Sequence, residues 1–355
     1  MTTFTFTSTS TSTSTAPTRD SADRLRVGVI GYGAWGRVHL EAYRRNARAE
    51  LVAICGRDPR RTADVAHAYR ARPYTDIGAM LGEMRLDLVS VVLPDEAHFA
   101  PTLQVLRAGV HCFAEKPLAM DRDEAVQLLE AARQSGVRFG VNFNHRYATP
   151  FQKARRLIDA GTLGAPAHLL WKFTGGHFPE RQPALHHLLY MQSHGFDMLR
   201  WLGGPIRDVG CVAADPRGDG SLTTATVSLT FESGAVGALI ASVDGNYADT
   251  HVHEFECIGL NGRIRVTDAL RRFEWAPRGE RGARGAVQVW EPGFFDDAER
   301  DFTATTVRHI DLFIAAHLEG LPVPVPAEDG YHALLAGLAA IEAARDGQRV
   351  ALPSL

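Results

Sequence analysis

The sequence predicts two domains: an N-terminal α/β domain with a doubly wound parallel sheet, and a C-terminal α+β domain with a large, mostly antiparallel open sheet. Three observations support this prediction. A chain of 355 residues has about the length of two domains of roughly 150 residues each. Up to residue 145, short apolar strands alternate with amphipathic helices, which is typical of βαβ units. Beyond residue 145, β segments follow one another across turn sequences, as in an antiparallel sheet.

Each predicted strand of the first domain is a short apolar run bounded by glycine, proline or polar residues. LRVGVIG, which begins at Leu25, is followed by GRVHLEAYRRNA, in which apolar residues recur with helical spacing. A helix ending near Gly109 and a helix over residues 121–135 separate later strands. This order predicts a parallel sheet within residues 24–145. The other predicted strands are ELVAICG, DLVSVVLP, VHCFAEKP and VRFGVNFN.

The second domain, residues 146–355, is predicted to combine helices with antiparallel strands. Helices are predicted over residues 150–160 and 186–202, with the strand AHLLWKF between them. The turn sequences ESG, VDG and NG then separate a series of β segments, and helices over residues 306–319 and 328–346 follow. The β segments are DVGCVAAD, LTTATVSLTFES, AVGALIASVDG, HEFECIGLNGRIRVTD and FEWAP.

The composition is that of a soluble globular protein, with 45% hydrophobic and 22% charged residues. A formal net charge of -3 gives no electrostatic basis for binding nucleic acid or an anionic membrane, so neither partner is expected. No apolar run approaches the roughly 20 residues of a membrane span. Residues 1–23 are rich in Ser and Thr and lack the pattern of a secretory signal, so we expect a disordered tail and a cytoplasmic protein.

No metal site is predicted. Adjacent histidines of the 186–202 helix point to different faces, and no cysteine or carboxylate lies at ligand spacing from them. The four cysteines form no CxxC pair, so reduced, partly buried thiols are expected. They are Cys55, Cys112, Cys211 and Cys257.

A glycine-rich motif follows the first predicted strand. VGVIGYGAWGRVH contains G-x-G-x-x-G as Gly31, Gly33 and Gly36, directly before a helix. The glycines permit a tight turn and a close approach to a pyrophosphate, and the helix start, with Ala34 and Trp35, offers unpaired N–H groups. This combination predicts a Rossmann domain that binds a dinucleotide.

The end of the second strand bears on the choice of cofactor. An NAD site usually places an acidic side chain there, on the ribose 2′-hydroxyl, whereas this chain has Gly56 and Arg57 in AICGRDPRR. A guanidinium binds a 2′-phosphate well, so Arg57 and Arg61 favour NADP. Asp58 could instead turn toward the ribose, and the arginines could be only a solvated cluster. NAD therefore remains the alternative.

Several further segments together resemble the Gfo/Idh/MocA family of oxidoreductases from Leu25 onward. The resemblance implies hydride transfer between a nicotinamide and a secondary alcohol or ketone, with a polyol, ketosugar or cyclitol as the small-molecule partner. It also implies that the C-terminal sheet assembles a homodimer or homotetramer. The matching segments are VIGYGAWG, LPDEAHF, AEKPLAM with Glu115, Lys116 and Pro117, GVNFNHRY, and AEDGYHALLAGLAAIEAARDGQRVAL.

The resemblance also implies catalytic roles. Lys116 is expected to donate a hydrogen bond at the substrate oxygen, and His194, aligned with the family's histidine, to act as the acid/base. Asp197 is expected to anchor the helix or to meet the substrate. Tyr190 stands where the family has its first aspartate, and Gln192 where it has glycine. Tyr190 could bind substrate, take part in catalysis or only pack.

Other candidates lie in loops near the expected crevice, where solvated polar residues are the alternative reading. The cofactor candidates follow the third and fourth predicted strands, DLVSVVLP and VHCFAEKP. The substrate candidates follow the last predicted Rossmann strand or lie in the loop GGHFPERQP and the 186–202 helix. The cofactor candidates are Leu93, Pro94, His98, Glu115 and Lys116. The substrate candidates are Lys116, Asn142, Arg146, His177, His187, Tyr190, His194 and Asp197.

Two other functions compete with a simple dehydrogenase. The loss of the usual aspartate at Tyr190 is compatible with a nucleotide-binding regulator without turnover, although retention of Lys116 and His194 argues against it. A redox-assisted glycoside-cleaving enzyme, in which the nicotinamide transiently oxidises a sugar hydroxyl, would need an additional base such as Tyr190 or His187.

Overall fold

A computed structural model describes residues 24–176, 181–248, 250–279 and 286–353 of the chain. Within these residues, six strands form one parallel sheet, and nine strands form a second sheet that is mostly antiparallel. The predicted fold class, an α/β domain followed by an α+β domain with a large open sheet, is confirmed.

The first sheet has the strand order β3-β2-β1-β4-β5-β6, and its neighbouring strands are all parallel. The order reverses between β1 and β4, which opens a crevice at the carboxyl ends of these two strands. The strands are β1 (Leu25–Ile30), β2 (Ala49–Cys55), β3 (Arg72–Tyr74), β4 (Leu88–Val91), β5 (His111–Ala114) and β6 (Phe139–Val141).

The helices of the first domain begin at capping residues wherever the sequence provides one. The side chains of Asp58, Asp76 and Asp121 accept hydrogen bonds from backbone N–H groups in the first turns of three of these helices. The helices are α1 (Ala34–Arg45), α2 (Pro59–Tyr69), α3 (Ile77–Glu83), α4 (Phe99–Arg107) and α5 (Arg122–Ser135).

Strand β3 was not predicted. It has three residues and contains Pro73, which has no N–H to donate to a ladder. Such a strand is tolerated because β3 lies at the edge of the sheet.

The second sheet has the order β14-β13-β12-β11-β7-β10-β9-β8-β15. Strands β7 and β10 pair in parallel, and the other neighbouring strands pair antiparallel. Alternate residues of β10 are buried, whereas those between them are largely half-exposed on the opposite face. The strands are β7 (Pro166–Gly175), β8 (Ile206–Ala214), β9 (Thr224–Phe231), β10 (Val236–Gly245), β11 (His253–Gly259), β12 (Gly262–Thr267), β13 (Arg272–Pro277), β14 (Gln288–Trp290) and β15 (Val350–Ala351).

The single helix predicted over residues 186–202 is two helices. A turn at Met191 and Gln192 separates them, and the Gln192 side chain donates from Nε2 to the carbonyl oxygen of Phe173 at 3.0 Å. This bond ties the turn to β7. The remaining helices are α6 (Thr149–Asp159), α7 (His186–Tyr190), α8 (Ser193–Gly203), α9 (Asp297–Arg300), α10 (Ala304–Leu318) and α11 (Ala327–Asp346). Across the described part of the chain, no helix has both the length and the apolar character needed to cross a bilayer.

Helix α10 packs on the Rossmann sheet, although the sequence placed it with residues 146–355. Ile310 and Phe313 join the buried cluster that contains Leu40 and Phe113. Gly140 in β6 makes room for this helix, because a Cβ there would lie 2.7 Å from the Phe313 ring. Side chains of α10 thereby reach the carboxyl edge of the sheet.

Candidate active site

The three motif glycines have different structural roles. Gly31 has a φ of +94°, and a Cβ there would lie 2.0 Å from the carbonyl oxygen of Val92; a Cβ at Gly36 would lie 2.4 Å from that of Gly31. A Cβ at Gly33 would meet no atom within 4 Å. Close packing therefore requires glycine at positions 31 and 36, whereas Gly33 borders open space before α1.

The start of α1 suits an anion. Gly33 is its N-cap and supplies no side-chain hydrogen bond, and the first turn has no acidic residue. Ala34 and Trp35 are exposed there, Trp35 at 41%. The N–H groups and the positive end of the helix dipole can therefore bind the pyrophosphate of a dinucleotide.

An acidic side chain cannot fit at Gly56. A Cβ at this position would lie 2.1 Å from the Tyr32 ring, and the Tyr32 hydroxyl is 2.9 Å from Thr62 Oγ1. Asp58 is committed to capping α2, since Oδ1 accepts from the Arg61 N–H at 2.9 Å. Arg57 is exposed next to this position.

Arg61 also lies beside this end of the crevice. Its guanidinium carbon is 5.6 Å from the centroid of the Tyr32 ring, and its side chain is exposed. Two arginines therefore stand where the ribose is expected, with no free carboxylate at positions 56 and 58.

The segment after β4 divides into exposed and buried candidates. Leu93 is half-buried and Pro94 is exposed, so both can face a cofactor in the crevice. His98 is 1% exposed, and neither of its ring nitrogens has a hydrogen-bond partner among the described residues. His98 thus lies beneath the crevice rather than in it.

Glu115, a cofactor candidate, turns its carboxylate into the protein. Its Oε1 accepts from His39 Nε2 at 2.9 Å and from Asn142 Nδ2 at 2.7 Å. Burial raises the pKa of the Glu115 carboxyl, but the hydrogen bonds from His39 and Asn142, together with the nearby Lys116 ammonium, outweigh burial and lower this pKa below its ordinary value. The Glu115 carboxylate is thus held by internal hydrogen bonds, and a contact between Glu115 and the cofactor stays a prediction.

Asn142, a substrate candidate, is also occupied inside the protein. Besides its bond to Glu115, its Nδ2 lies 3.3 Å from Thr306 Oγ1, and its Oδ1 lies 3.0 Å from His309 Nδ1. Asn142 is 1% exposed. Asn142 therefore belongs to an internal hydrogen-bond network, and a contact with substrate stays a prediction.

Lys116 follows β5 at the crevice, and its bond to Pro117 is cis. Its Nζ donates to the carbonyl oxygen of Tyr190 at 3.0 Å and lies 4.1 Å from the centroid of the Tyr190 ring. Burial lowers the pKa of Lys116 below its ordinary value, and the carboxylates of Glu115 and Asp95 oppose this.

Tyr190 ends α7 between the Lys116 ammonium and the His186 ring. On the side away from Lys116, the His186 ring stacks on it with centroids 6.2 Å apart, and His186 Nε2 lies 2.9 Å from Asp95 Oδ2. Burial, together with the carboxylates of Asp95 and Glu115, raises the pKa of Tyr190. The hydroxyl therefore stays protonated at neutral pH.

His194 lies in the first turn of α8 and is buried. Its ring centroid is 3.9 Å from that of His145, which is 5.2 Å from that of His253. Burial, followed by the nearby His145 and Lys116, holds the pKa of His194 well below its ordinary value. At neutral pH His194 is an uncharged imidazole that can accept a proton.

Arg146 and Asp197, both substrate candidates, bind each other. Arg146 makes a two-pronged contact with the Asp197 carboxylate, with Nε to Oδ2 at 2.9 Å, and its Nη1 lies 2.9 Å from Asp329 Oδ2. Both side chains are buried. The contact fits the expected role of Asp197 as an anchor of the helix, and a substrate contact of Arg146 stays a prediction.

The remaining substrate candidates are His187 and His177. His187 is buried, its Nε2 has no partner among the described residues, and burial lowers its pKa to about 4. His177 lies outside the residues that the structure describes. Within the described residues, no group of three or more His, Cys, Asp or Glu side chains could hold a metal ion.

Two segments of the chain match known domain families. Residues 25–143 match GFO_IDH_MocA, the oxidoreductase family with an NAD-binding Rossmann fold, and residues 151–265 match the GFO/IDH/MocA C-terminal domain. A UDP-N-acetylglucosamine 3-dehydrogenase from Acidithiobacillus ferrooxidans is 32% identical over 61% of this chain and 67% of its own. The chain belongs to the Gfo/Idh/MocA family. This confirms the resemblance and the prediction of an NAD(P)-dependent dehydrogenase acting on CH–OH groups.

Other members of the Gfo/Idh/MocA family match nearly the full length. A myo-inositol 2-dehydrogenase from Thermotoga maritima is 29% identical over 92% of this chain and 98% of its own. A levoglucosan dehydrogenase in complex with NADH and L-sorbose is 21% identical, with a TM-score of 0.84 over 94% of this chain and 100% of its own. The latter similarity establishes the shared fold.

Some buried residues at the site were not identified from the sequence. The sequence did not indicate a site role for three of them, because each is one polar residue in an ordinary helix or strand pattern. They are His39, Ser90 and His309. The burial of His253 could have been predicted from the sequence. In HEFECIG, His253 alternates with Phe255 and Cys257, which places it on the buried face of β11.

Proposed function

We propose that the protein transfers a hydride between NADP and a secondary alcohol or ketone of a sugar, a sugar derivative or a cyclitol. The contact between Lys116 Nζ and the Tyr190 carbonyl oxygen carries this proposal. This hydrogen bond joins the carboxyl edge of the Rossmann sheet, where a nicotinamide is expected, to the segment that bears His194.

The residues have complementary roles in alcohol oxidation. The bound nicotinamide supplies the hydride acceptor. His194, uncharged at neutral pH, takes the proton of the substrate hydroxyl, and the Lys116 ammonium donates a hydrogen bond to the oxygen as negative charge develops on it. In the ketone-reducing direction, the same two groups return the proton and polarise the carbonyl.

Substrate contacts are also proposed for other polar groups near Lys116 and His194. Tyr190 offers a protonated hydroxyl beside Lys116, and His187 has an unpaired ring nitrogen among the described residues. His177 is retained as a candidate. The relatives named above act on inositol, levoglucosan and a nucleotide sugar by their names, and this favours a polyhydroxylated substrate.

The preference for NADP rests on the steric exclusion of an acidic side chain at Gly56 and on the exposed guanidinium of Arg57. A 2′-phosphate meets no carboxylate repulsion at position 56 and can bind arginine bidentately. Assembly as a homodimer or homotetramer is proposed through the half-exposed face of the second sheet, as the sequence predicted.

The experiment is a turnover assay with purified protein. A panel of polyols with oxidised cofactor, and of ketosugars and inososes with reduced cofactor, is followed by the absorbance of the reduced nicotinamide. We expect turnover with at least one compound and higher kcat/KM with NADP. Tight cofactor binding without turnover across the panel would contradict the proposal and favour a regulator. Release of aglycone from a glycoside without net cofactor consumption would favour the glycoside-cleaving alternative.

A further inference from the structure

A chain of buried hydrogen bonds crosses the Rossmann domain beneath Lys116. The Tyr43 hydroxyl is 2.7 Å from Ser90 Oγ, and Ser90 Oγ is 3.2 Å from His39 Nδ1. His39 Nε2 in turn reaches Glu115 Oε1 at 2.9 Å. This series of hydrogen bonds therefore links α1, which begins at the dinucleotide motif, to Glu115, the residue directly before Lys116.

A second branch ends at the same carboxylate oxygen, Glu115 Oε1. Because a carboxylate only accepts hydrogen bonds, Asn142 presents its NH₂ group to Glu115 Oε1, at 2.7 Å. Asn142 Oδ1 is then the acceptor for His309 Nδ1–H at 3.0 Å. Hydrogen bonds from His39 and Asn142 thus hold the Glu115 carboxylate in place.

The order Ser90, His39, Glu115 resembles that of a nucleophilic triad, but this network is not a second active site. Ser90 and His39 have 0% exposure, and no substrate can reach the serine oxygen. One route from the network to the crevice runs through Glu115 and its neighbour Lys116.

Lys116 is an unusual residue for this chain. Only three of the 38 Lys and Arg residues in the sequence are lysines: Lys116, Lys153 and Lys172. Arginine cannot release its proton in a protein, whereas a buried lysine amine can. Lys116 is thus an adjustable cation at a position proposed to face the substrate.

Opposing influences act on the Lys116 ammonium. Burial disfavours its charge, and the carboxylates of Glu115 and Asp95 favour it. Four other titratable groups near Lys116 are uncharged at neutral pH by the directions of their own pKa shifts. They are His98, His145, Tyr190 and His194.

We propose that His39 and Asn142 are positioning residues, which fix the carboxylate of Glu115, the neighbour of Lys116, so that the half-buried amine stays an ammonium at neutral pH. The inference rests on the role proposed above for Lys116. Without the fixed negative charge, the amine would release its proton more readily and would lose the positive charge that stabilises the substrate oxygen.

The test measures the protonation of Lys116 without any turnover. The full chain is labelled with trace acetic anhydride over a range of pH, and acetylation of each lysine is quantified by mass spectrometry, with Lys153 as the internal reference. In Glu115→Gln, the side-chain amide oxygen can still accept a hydrogen bond from His39, but the negative charge of the carboxylate is lost. We expect the Lys116 pKa to fall by about one unit or more, with Lys153 unchanged. An unchanged Lys116 pKa would overturn the inference.

A second pair of variants tests His39 itself. His39→Gln keeps a side-chain N–H donor, whereas His39→Leu removes it. We expect His39→Leu alone to move the Lys116 pKa, by about 0.5 units or more, and to have no effect in the Glu115→Gln background. Equal Lys116 pKa values in His39→Gln and His39→Leu would overturn the inference, and this comparison suffices if Glu115→Gln does not fold.

The labelling experiment and the turnover assay can fail separately. A protein that is inactive with every compound of the panel but shows both pKa changes would overturn the proposed function and support the link between Glu115 and Lys116. A protein that turns over substrate but shows no pKa change in either variant would overturn only the inference.

Discussion

The ammonium of Lys116 lies 3.0 Å from the carbonyl oxygen of Tyr190 and 4.1 Å from the centroid of the Tyr190 ring. Lys116 follows a Rossmann strand, whereas Tyr190 ends α7 of the second domain. One cation therefore joins the two domains at the crevice. The carbonyl uses one of the three ammonium donors and so orients the others.

Replacing Lys116 is expected to remove turnover. Lys116→Ala eliminates both the positive charge and the donor at the substrate oxygen, so kcat should fall by about 10²- to 10⁴-fold in the absorbance assay. Lys153→Ala, which removes the amine of a lysine on α6, is the control and should leave kcat unchanged. An undiminished rate in Lys116→Ala would exclude the proposed role.

The two parts of Tyr190 can be separated by substitution. Tyr190→Phe keeps the ring over Lys116 and removes the hydroxyl, so KM should rise by roughly 3- to 10-fold while kcat changes little. Tyr190→Leu also removes the cation–π contact, and kcat should fall by roughly tenfold or more. Equal losses of kcat in the two variants would instead assign the catalytic effect to the hydroxyl.

Arg57 is expected to select the cofactor. Arg57→Ala removes a guanidinium that can bind a 2′-phosphate, so the Kd for NADPH should rise by about tenfold or more, and the Kd for NADH should not. Fluorescence titration of the reduced cofactors measures both values. Arg60→Ala, an exposed neighbour on α2, is the matched control. Parallel losses for NADPH and NADH in Arg57→Ala would refute the selectivity.

Most of the fold could be predicted because its signals are local. The apolar runs that became β1, β4 and β5, and the glycine motif before α1, depend only on neighbouring residues. The break between α7 and α8 could not be predicted. It depends on the bond from Gln192 to the Phe173 backbone, and the sequence does not reveal that these two segments meet.

The site was predicted less completely, for a physical reason. Position after a strand places a residue at the carboxyl edge, but it does not determine where the side chain points. The sequence did not reveal that Glu115 and Asn142 hydrogen-bond His39 and His309, because these partners are distant in sequence. Lys116 differs because its neighbours Glu115 and Pro117 carry the family motif.

Gly33 is expected to be dispensable for folding but required for cofactor binding. In Gly33→Ala the new methyl group meets no protein atom within 4 Å, yet it occupies the space in which the pyrophosphate is expected. The Kd for NADPH should rise by about tenfold, with an unchanged midpoint of thermal unfolding.

Gly31→Ala provides the contrast to Gly33→Ala. Its Cβ would lie 2.0 Å from the Val92 carbonyl oxygen, at a φ of +94°, so we expect a loss of at least about 1–3 kcal/mol in the free energy of unfolding. Equal thermal stability of the two glycine variants would contradict this division of roles.

Acid is expected to destabilise the protein partly through His253. This buried ring lies 3.6 Å from the Phe173 ring, and burial lowers its pKa to about 3. The unfolded chain binds a proton at His253 below a pH of about 6.5, whereas the folded protein does not until about pH 3. Between these values the free energy of unfolding falls as the pH falls, by about 1.4 kcal/mol per pH unit for this one group.

His253→Phe should remove that part of the acid sensitivity. Urea unfolding at pH 7 and at about pH 5 gives the change in free energy of unfolding between the two conditions, and the variant should lose about 2 kcal/mol less than the original chain. Phe255→Leu, on the same buried face of β11, is the control for packing, because it alters no titratable group and should lower stability equally at both pH values. If His253→Phe and the original chain lose the same free energy on acidification, His253 is protonated in the folded state at about pH 5, and the burial argument for the neighbouring His145 and His194 weakens with it.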